Sequence, residues 1–244
     1  MLVLIAAGTG TALATGLGAI PVFFLGQRAE VLRPALLGLA AGAMTVASIS
    51  GLLLPGFDQG SGVAVSGGVV AGVLFLLIAR QRLERRSDLR GEQRAGEENR
   101  ASLLVFVILF VHSLPEGFAI GTAYASDTAG LSLFVILAIA VQNIPEGTSI
   151  AIPMAAAGFS RARQFWAAVA TSAPQPVGAV VAYLLVKHVE GLLPFSFGFA
   201  AGAMLALVVV ELLPNALRGN WRAAFAGAAT GAAAMLGLSV ALGV

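Results

Sequence analysis

The chain has 244 residues, of which 58% are hydrophobic and only 11% charged, where a soluble domain carries roughly 25% charged residues. A chain of this size folded in water could not hide so much apolar surface, so the composition excludes a soluble globular protein and makes the bilayer its solvent. It has no cysteine, which removes disulfides and thiolate metal ligands, and its formal charge of +2 comes without a basic face carrying aromatic or polar readers, which argues against a nucleic-acid partner.

A helix needs about 20 apolar residues to cross a bilayer. Eight stretches meet that length: 1–26, 34–55, 61–80, 102–124, 130–157, 164–187, 192–217 and 221–243. They predict an all-α integral membrane protein forming a single domain over 1–244. The first stretch has no basic segment ahead of its apolar run, so it reads as a helix that is retained rather than a cleaved leader. Abundant Gly and Ala suit membrane helices that pack backbone to backbone. Most links are short. The exception is 81–100, QRLERRSDLRGEQRAGEENR, which is densely charged and has neither aromatic residues nor aliphatic periodicity. It is predicted to be a mobile loop, and without histidine it is not a metal-binding one.

The basic residues set the orientation. Of the 14 Lys and Arg, 13 fall at the links after the first, third, fifth and seventh stretches: Arg28, Arg33, Arg80, Arg82, Arg85, Arg86, Arg90, Arg94, Arg100, Arg161, Arg163, Arg218 and Arg222. Only Lys187 lies on the other side, with Asp58, Asp127, His188 and Glu190. The positive-inside rule then places those four links, including 81–100, in the cytoplasm and both termini outside. The inner (plasma) membrane of a cell is the expected location.

Three acidic residues fall inside the apolar spans: Glu116, Glu146 and Glu211. Each costs about 2.5–3.5 kcal/mol at mid-helix on insertion scales. No basic residue is expected in the spans to pair with them, so a cation must come from outside the chain or the carboxyls must hold protons. The surroundings favour a cation. His112-Ser113-Leu114-Pro115-Glu116-Gly117 and Gln142-Asn143-Ile144-Pro145-Glu146-Gly147 repeat one motif thirty residues apart, on successive and therefore oppositely directed helices. Inverted repeats of this kind place substrate sites near the midplane. Positions i and i+4 share a helix face, which sets His112 beside Glu116 and Gln142 beside Glu146. One imidazole, one amide oxygen and two carboxylates suit a divalent ion of the zinc type. A single Pro-Glu-Gly would read as a kink with a packed polar residue; two copies without a counter-charge favour a metal site. A second inverted pair, AAGAM at 40–44 and at 200–204, reads as packing surface, and by spacing alone Met44 is a core residue.

At these residues the chain resembles the ZIP (Zrt/Irt-like) family of divalent-metal transporters, of prokaryotic type. HSLPEGFAIG at 112–121 and QNIPEGTSIA at 142–151 resemble its two metal-binding signatures, and TGLGAIP at 15–21, AAGAM at 40–44, PQPVGA at 174–179 and ELLPNA at 211–216 resemble further segments in the same order. The resemblance implies a ZIP-like fold of eight helices with both termini outside and an elevator-like movement of helices 1, 4, 5 and 6 against 2, 3, 7 and 8. It implies a primary metal site of Met44, His112, Glu116, Gln142 and Glu146, raising Met44 from core residue to ligand. It implies a second site at Ser113, Glu116, Asn143, Glu146 and Gln175. The sequence departs from the family where Gln142 replaces His, Ser113 replaces Asn and Gln175 replaces an acid. The last change leaves two carboxylates to share two cations, which argues against a full binuclear site.

The expected function is transport of Zn²⁺, with Cd²⁺, Fe²⁺ and Mn²⁺ as further candidates, into the cytoplasm, with Zn²⁺ or Cd²⁺ bound as cargo and no cofactor. Asp58 and Glu211 are pathway candidates, and Asp127 and Glu190 join Asp58 as acids able to concentrate cations outside. The partners expected are divalent ions and lipid, with a homodimer left open. Two alternatives stay open: an intramembrane metal-dependent enzyme, for which no HExxH-like arrangement is present, and a proton- or cation-coupled carrier of an organic solute.

Overall fold

A computed structural model describes the backbone of residues 1–94 and 97–244, and the side chains of those residues except Gln27 and 83–109. Among the described residues the chain is helical throughout, without strands. The helices are α1 (Leu2–Leu17), α2 (Ile20–Leu25), α3 (Arg33–Ser48), α4 (Leu54–Asp58), α5 (Gly62–Arg94), α6 (Glu97–Ala125), α7 (Leu131–Ala156), α8 (Arg161–Thr171), α9 (Pro174–His188), α10 (Leu192–Leu207), α11 (Leu213–Leu217) and α12 (Trp221–Leu242). A 3₁₀ segment, Gly26–Leu32, joins α2 to α3, and π-helical segments, Ile49–Leu53 and Val208–Leu212, join α3 to α4 and α10 to α11.

Seven of the eight predicted stretches are long and apolar enough to cross a membrane: Leu2–Leu25, Arg28–Asp58, Gly62–Arg82, Leu131–Ala156, Arg161–His188, Leu192–Leu217 and Trp221–Leu242. The remaining stretch, 102–124, falls in α6, and the side chains of its residues 102–109 lie outside the described residues. Large apolar side chains stand outward from the bundle, among them Val63 at 83% and Val240 at 82% exposure. Only lipid makes such a surface favourable. Trp166 and Trp221 are exposed beside the arginine-bearing links, with Arg222 over the Trp221 ring at 5.5 Å. Amphipathic aromatic rings favour such a membrane–water boundary.

The structure corrects the sequence in four places. The segment 81–100 is not a loop over most of its length: α5 runs on to Arg94 and α6 begins at Glu97, while 95–96 lie outside the described residues. Glu, Arg and Leu are good helix formers, and a helix satisfies its own backbone in water as well as in lipid. The first stretch is interrupted between α1 and α2, ahead of Pro21. The sixth is broken at Ser172 and Ala173, because Pro174 and Pro176 have no N–H to give. The carbonyls of Ala170 and Ser172 take instead the N–H groups of Ala173 and Gln175, at 3.3 and 3.0 Å. Finally, Arg80 lies within the span Gly62–Arg82, half-buried, so a basic residue does occur inside an apolar helix.

Glycines sort the helices into two groups. In one, a Cβ at Gly38 or Gly42 of α3 would overlap the Ala224 or Ala228 carbonyl of α12, and one at Gly227 or Gly231 would overlap the Ala35 or Leu39 carbonyl of α3. The same reciprocal contact joins Gly68 and Gly72 of α5 to α10, and Gly198 and Gly202 of α10 to α5. In the other group, Gly8 meets Pro176, Gly117 meets the Gln175 carbonyl, and Gly147 meets the Thr15 carbonyl. This group holds α1, α6, α7, α8 and α9. Between the groups the Phe134 ring faces Gly51, the Phe118 and Phe199 rings lie 5.1 Å apart, and a Cβ at Gly130, ahead of α7, would overlap the Leu242 carbonyl of α12. Backbone contact within a group gives close packing without a hydrophobic driving force. Gly42→Val should therefore lower stability in detergent by about 1–3 kcal/mol, an overpacking loss. Gly237→Ala, with open space around the new methyl, should cause no loss. Equal melting temperatures for the two variants would contradict this packing scheme.

Candidate metal centre

The two Pro-Glu-Gly motifs face each other from α6 and α7, with Pro115 and Pro145 inside their helices. His112, Ser113, Glu116, Gln142, Asn143 and Glu146 are all at most 2% exposed. The turn-to-turn spacing read from the sequence holds in space: one ligand atom each from His112, Glu116 and Glu146 lies within 4.8 Å of the others. His112 Nε2 is 3.3 Å from Glu146 Oε2. Gln142 Nε2 donates to Glu116 Oε1 at 3.0 Å.

A relay of amides holds Glu116 from the other side. Asn143 Nδ2 is 2.7 Å from the carbonyl oxygen of Thr11, where only a donor can stand, so the Asn143 amide has one orientation. Its Nδ2 also donates to Gln175 Oε1 at 3.2 Å, and the Thr11 hydroxyl reaches the same oxygen at 2.7 Å. The Gln175 NH₂ is thereby turned toward Glu116 Oε2, 2.7 Å away. Gln175 sits in the first turn of α9, whose amino end favours a nearby carboxylate. Beside this relay, Thr15 and Ser172 share a hydrogen bond of 2.6 Å. The sequence did not single out Thr11, Thr15 or Ser172; their only signal was a hydroxyl pair at i and i+4 in α1 and a serine ahead of Pro-Gln-Pro.

What the relay leaves unpartnered points to the ligand. Gln142 Oε1, Asn143 Oδ1, Glu146 Oε1 and His112 Nδ1 are buried without a hydrogen-bond partner. Three of the four are oxygens that can only accept. Among the described residues neither carboxylate meets a Lys or Arg; the one ion pair here joins Glu146 to His112. A buried acceptor left unpaired costs about 1–3 kcal/mol, more when charged. One divalent cation would satisfy several of these atoms together, and imidazole, amide oxygen and carboxylate are ligands for zinc-type ions.

The acids Asp58, Glu211 and Asp127 are not members of this three-residue group. Met44 is fully buried in the apolar core of α3, the helix that packs on α7. Asp58 is exposed at the end of α4. Glu211 is half-buried in the π segment Val208–Leu212. Asp127 pairs with Lys187 at 3.3 Å on an exposed edge. The Gln175 contact makes a direct test. Gln175→Glu puts a carboxylate where an N–H now meets Glu116 Oε2. Without metal the variant should lose about 1–3 kcal/mol of stability, and added Zn²⁺ should restore it. A variant that melts like the parent in chelator would contradict the relay.

A family model described as "ZIP Zinc transporter" matches residues 79–239. Zinc transporter GufA of Myxococcus xanthus is 33% identical over 241 residues, covering 94% of this chain and 95% of GufA. Zinc transporter ZIPB of Bordetella bronchiseptica is 35% identical over 242 residues, covering 94% of this chain and 78% of ZIPB. A protein of Arabidopsis thaliana, whose name assigns it to zinc transport, is 39% identical over 224 residues. That match takes in 90% of this chain but spans about a third of the plant protein, 35% of its length.

Proposed function

This chain belongs to the ZIP zinc-transporter family, and from that premise we propose that it carries Zn²⁺ into the cytoplasm, with Cd²⁺, Fe²⁺ and Mn²⁺ as further cargo. It is a membrane transporter and not an enzyme. The observation that carries the cargo reading is the cluster of His112, Glu116 and Glu146 within 4.8 Å, with Gln142 Oε1 and Glu146 Oε1 left as unpartnered acceptors. These residues hold the ion in transit, and Met44 adds a thioether from α3.

One domain over 1–244 crosses the inner membrane eight times, with 81–100 on the cytoplasmic side and both termini outside. The 12 basic residues other than Arg80 that fall at four alternate links support that orientation. The two Pro-Glu-Gly helices and the two AAGAM helices form inverted pairs. The π segments support the second pairing, since each follows AAGAM by a few residues and leads into a proline, Pro55 or Pro214. Transport is an elevator-type movement of the group that holds the site (α1, α6, α7, α8 and α9) against the group of α3, α5, α10 and α12. Close glycine-to-backbone contacts that join α3 to α12, α5 to α10, and α6 and α7 to α9 and α1 support that division.

The metal sheds water in an outward cavity, after capture by exposed acids such as Asp58. It then binds between Glu116 and Glu146, which match its charge, and leaves past Glu211 when the moving group shifts. Gln175 makes the second family site a neutral relay, so one ion binds tightly, Asn143 and Gln175 position Glu116 instead of binding a second ion, and Ser113 is a weaker second-site candidate. A membrane potential negative inside favours entry of a divalent ion by about 4.6 kcal/mol per 100 mV, from about 2.3 per charge.

Uptake into vesicles containing the purified protein tests the reading. Glu116→Ala and Glu146→Ala should each bring Zn²⁺ uptake to background while the protein still inserts, because one carboxylate cannot match a divalent charge in a dry cavity. Uptake near the parent's rate in either variant would overturn the site.

A further inference from the structure

The half-buried arginine in α5 has a partner that charge counting does not anticipate. Arg80 Nη1 donates to the backbone carbonyl of Val210 at 2.8 Å, across 130 residues of chain. An arginine near the end of an apolar span would ordinarily extend to the membrane surface, where its charge is hydrated. Arg80 instead turns to a main-chain oxygen on the neighbouring helical rod.

The reason lies in the sequence of that rod. Val210 is in the middle of the π segment Val208–Leu212, and the residue four places after it is Pro214. In an α-helix the N–H at that place would bond the Val210 carbonyl. Proline has none. A carbonyl without a donor in an apolar medium is unfavourable, and π segments place such irregular backbone at functional sites. Arg80 supplies the missing donor, with a charge that strengthens the bond. The next residue after Val210 is Glu211, an acid held half-buried in the same π segment, inside the span Leu192–Leu217.

We propose that Arg80 is a positioning residue for transport: by pinning the Val210 carbonyl it holds the π segment in register and aims Glu211 at the metal site. Arg80 does not touch the ion. It acts through the backbone, on the helix group that does not carry the site, so the ion meets Glu211 in one fixed place. This inference rests on the reading that Glu211 lies on the metal's path.

Initial rates of Zn²⁺ uptake into vesicles holding the full-length protein test it, over a range of Zn²⁺, for Arg80→Met, Arg80→Lys, Glu211→Gln and the double variant Arg80→Met/Glu211→Gln. Arg80→Met should lower the maximal rate about tenfold, the effect expected on losing one charge-assisted hydrogen bond. The KM should change little, since the ligands are intact, and Arg80→Lys, which keeps a charged donor, should recover most of the rate. The double variant should be no slower than the slower single variant, because both changes disable one device. A merely structural role would lower the amount of folded protein in the vesicles, not the rate per folded molecule. Multiplying losses in the double variant, or a normal rate in Arg80→Met with an impaired Glu211→Gln, would overturn this inference alone. A normal rate in Glu211→Gln would remove Glu211 from the path and overturn the inference with it, while leaving the Glu116 and Glu146 site standing. If Arg80→Met does not insert, Arg80→Gln carries the same comparison, since it removes the charge and keeps an N–H.

Discussion

Two carboxylates, Glu116 and Glu146, are buried in a helical bundle, and among the described residues no Lys or Arg meets them. An isolated charge in an apolar interior is among the most unfavourable arrangements a protein can hold. The surrounding structure answers that constraint. Gln142 and Gln175 each give one N–H to Glu116, Asn143 and Thr11 orient Gln175, and His112 faces Glu146. The glycines of α6 and α7 let α9 and α1 come close enough for these short side chains to reach. The charge itself remains unmatched by any described side chain except His112, and on the reading proposed above a divalent ion would neutralise that remainder.

A second constraint is backbone satisfaction in lipid, where every N–H and C=O needs a partner inside the protein. Prolines interrupt the helices at several places, and side chains from neighbouring helices repair the ladders. Arg80 donates to Val210, and Arg161 Nη2 donates to the Phe23 carbonyl at 3.0 Å near the end of α2. At the break after α1, Thr148 donates to the Gly18 carbonyl at 2.7 Å. The helix interruptions that such repairs permit are the same ones that bring Ser172 and Gln175 to the metal centre.

The sequence made the candidate metal centre legible because its residues are energetically expensive. Carboxylates inside apolar spans, a histidine four residues from one of them, and a repeated Pro-Glu-Gly have few uses in lipid. Thr11, Thr15 and Ser172 gave no such signal, since a hydroxyl in a membrane helix can bond its own preceding turn, as Thr45 does with the Ala41 carbonyl at 2.7 Å. The π segments escaped because a shift from i+4 to i+5 pairing leaves the hydropathy unchanged. Arg80 was counted with the links, since a charge count records where a residue stands in the chain and not where its side chain turns. The segment 81–100 was read as a loop because charge and polarity describe an exposed helix equally well.

The claim on which the account rests is that a divalent ion completes the buried carboxylate pair. X-ray absorption at the zinc edge, on purified protein loaded with Zn²⁺ and freed of excess metal, tests it most directly. The account predicts retained zinc with about four nitrogen and oxygen neighbours near 2.0–2.2 Å and one longer sulfur neighbour from Met44, including the scattering signature of one imidazole, which His112→Ala abolishes. Zinc that washes away, or retained zinc that shows only solvent oxygens and no imidazole, would contradict it.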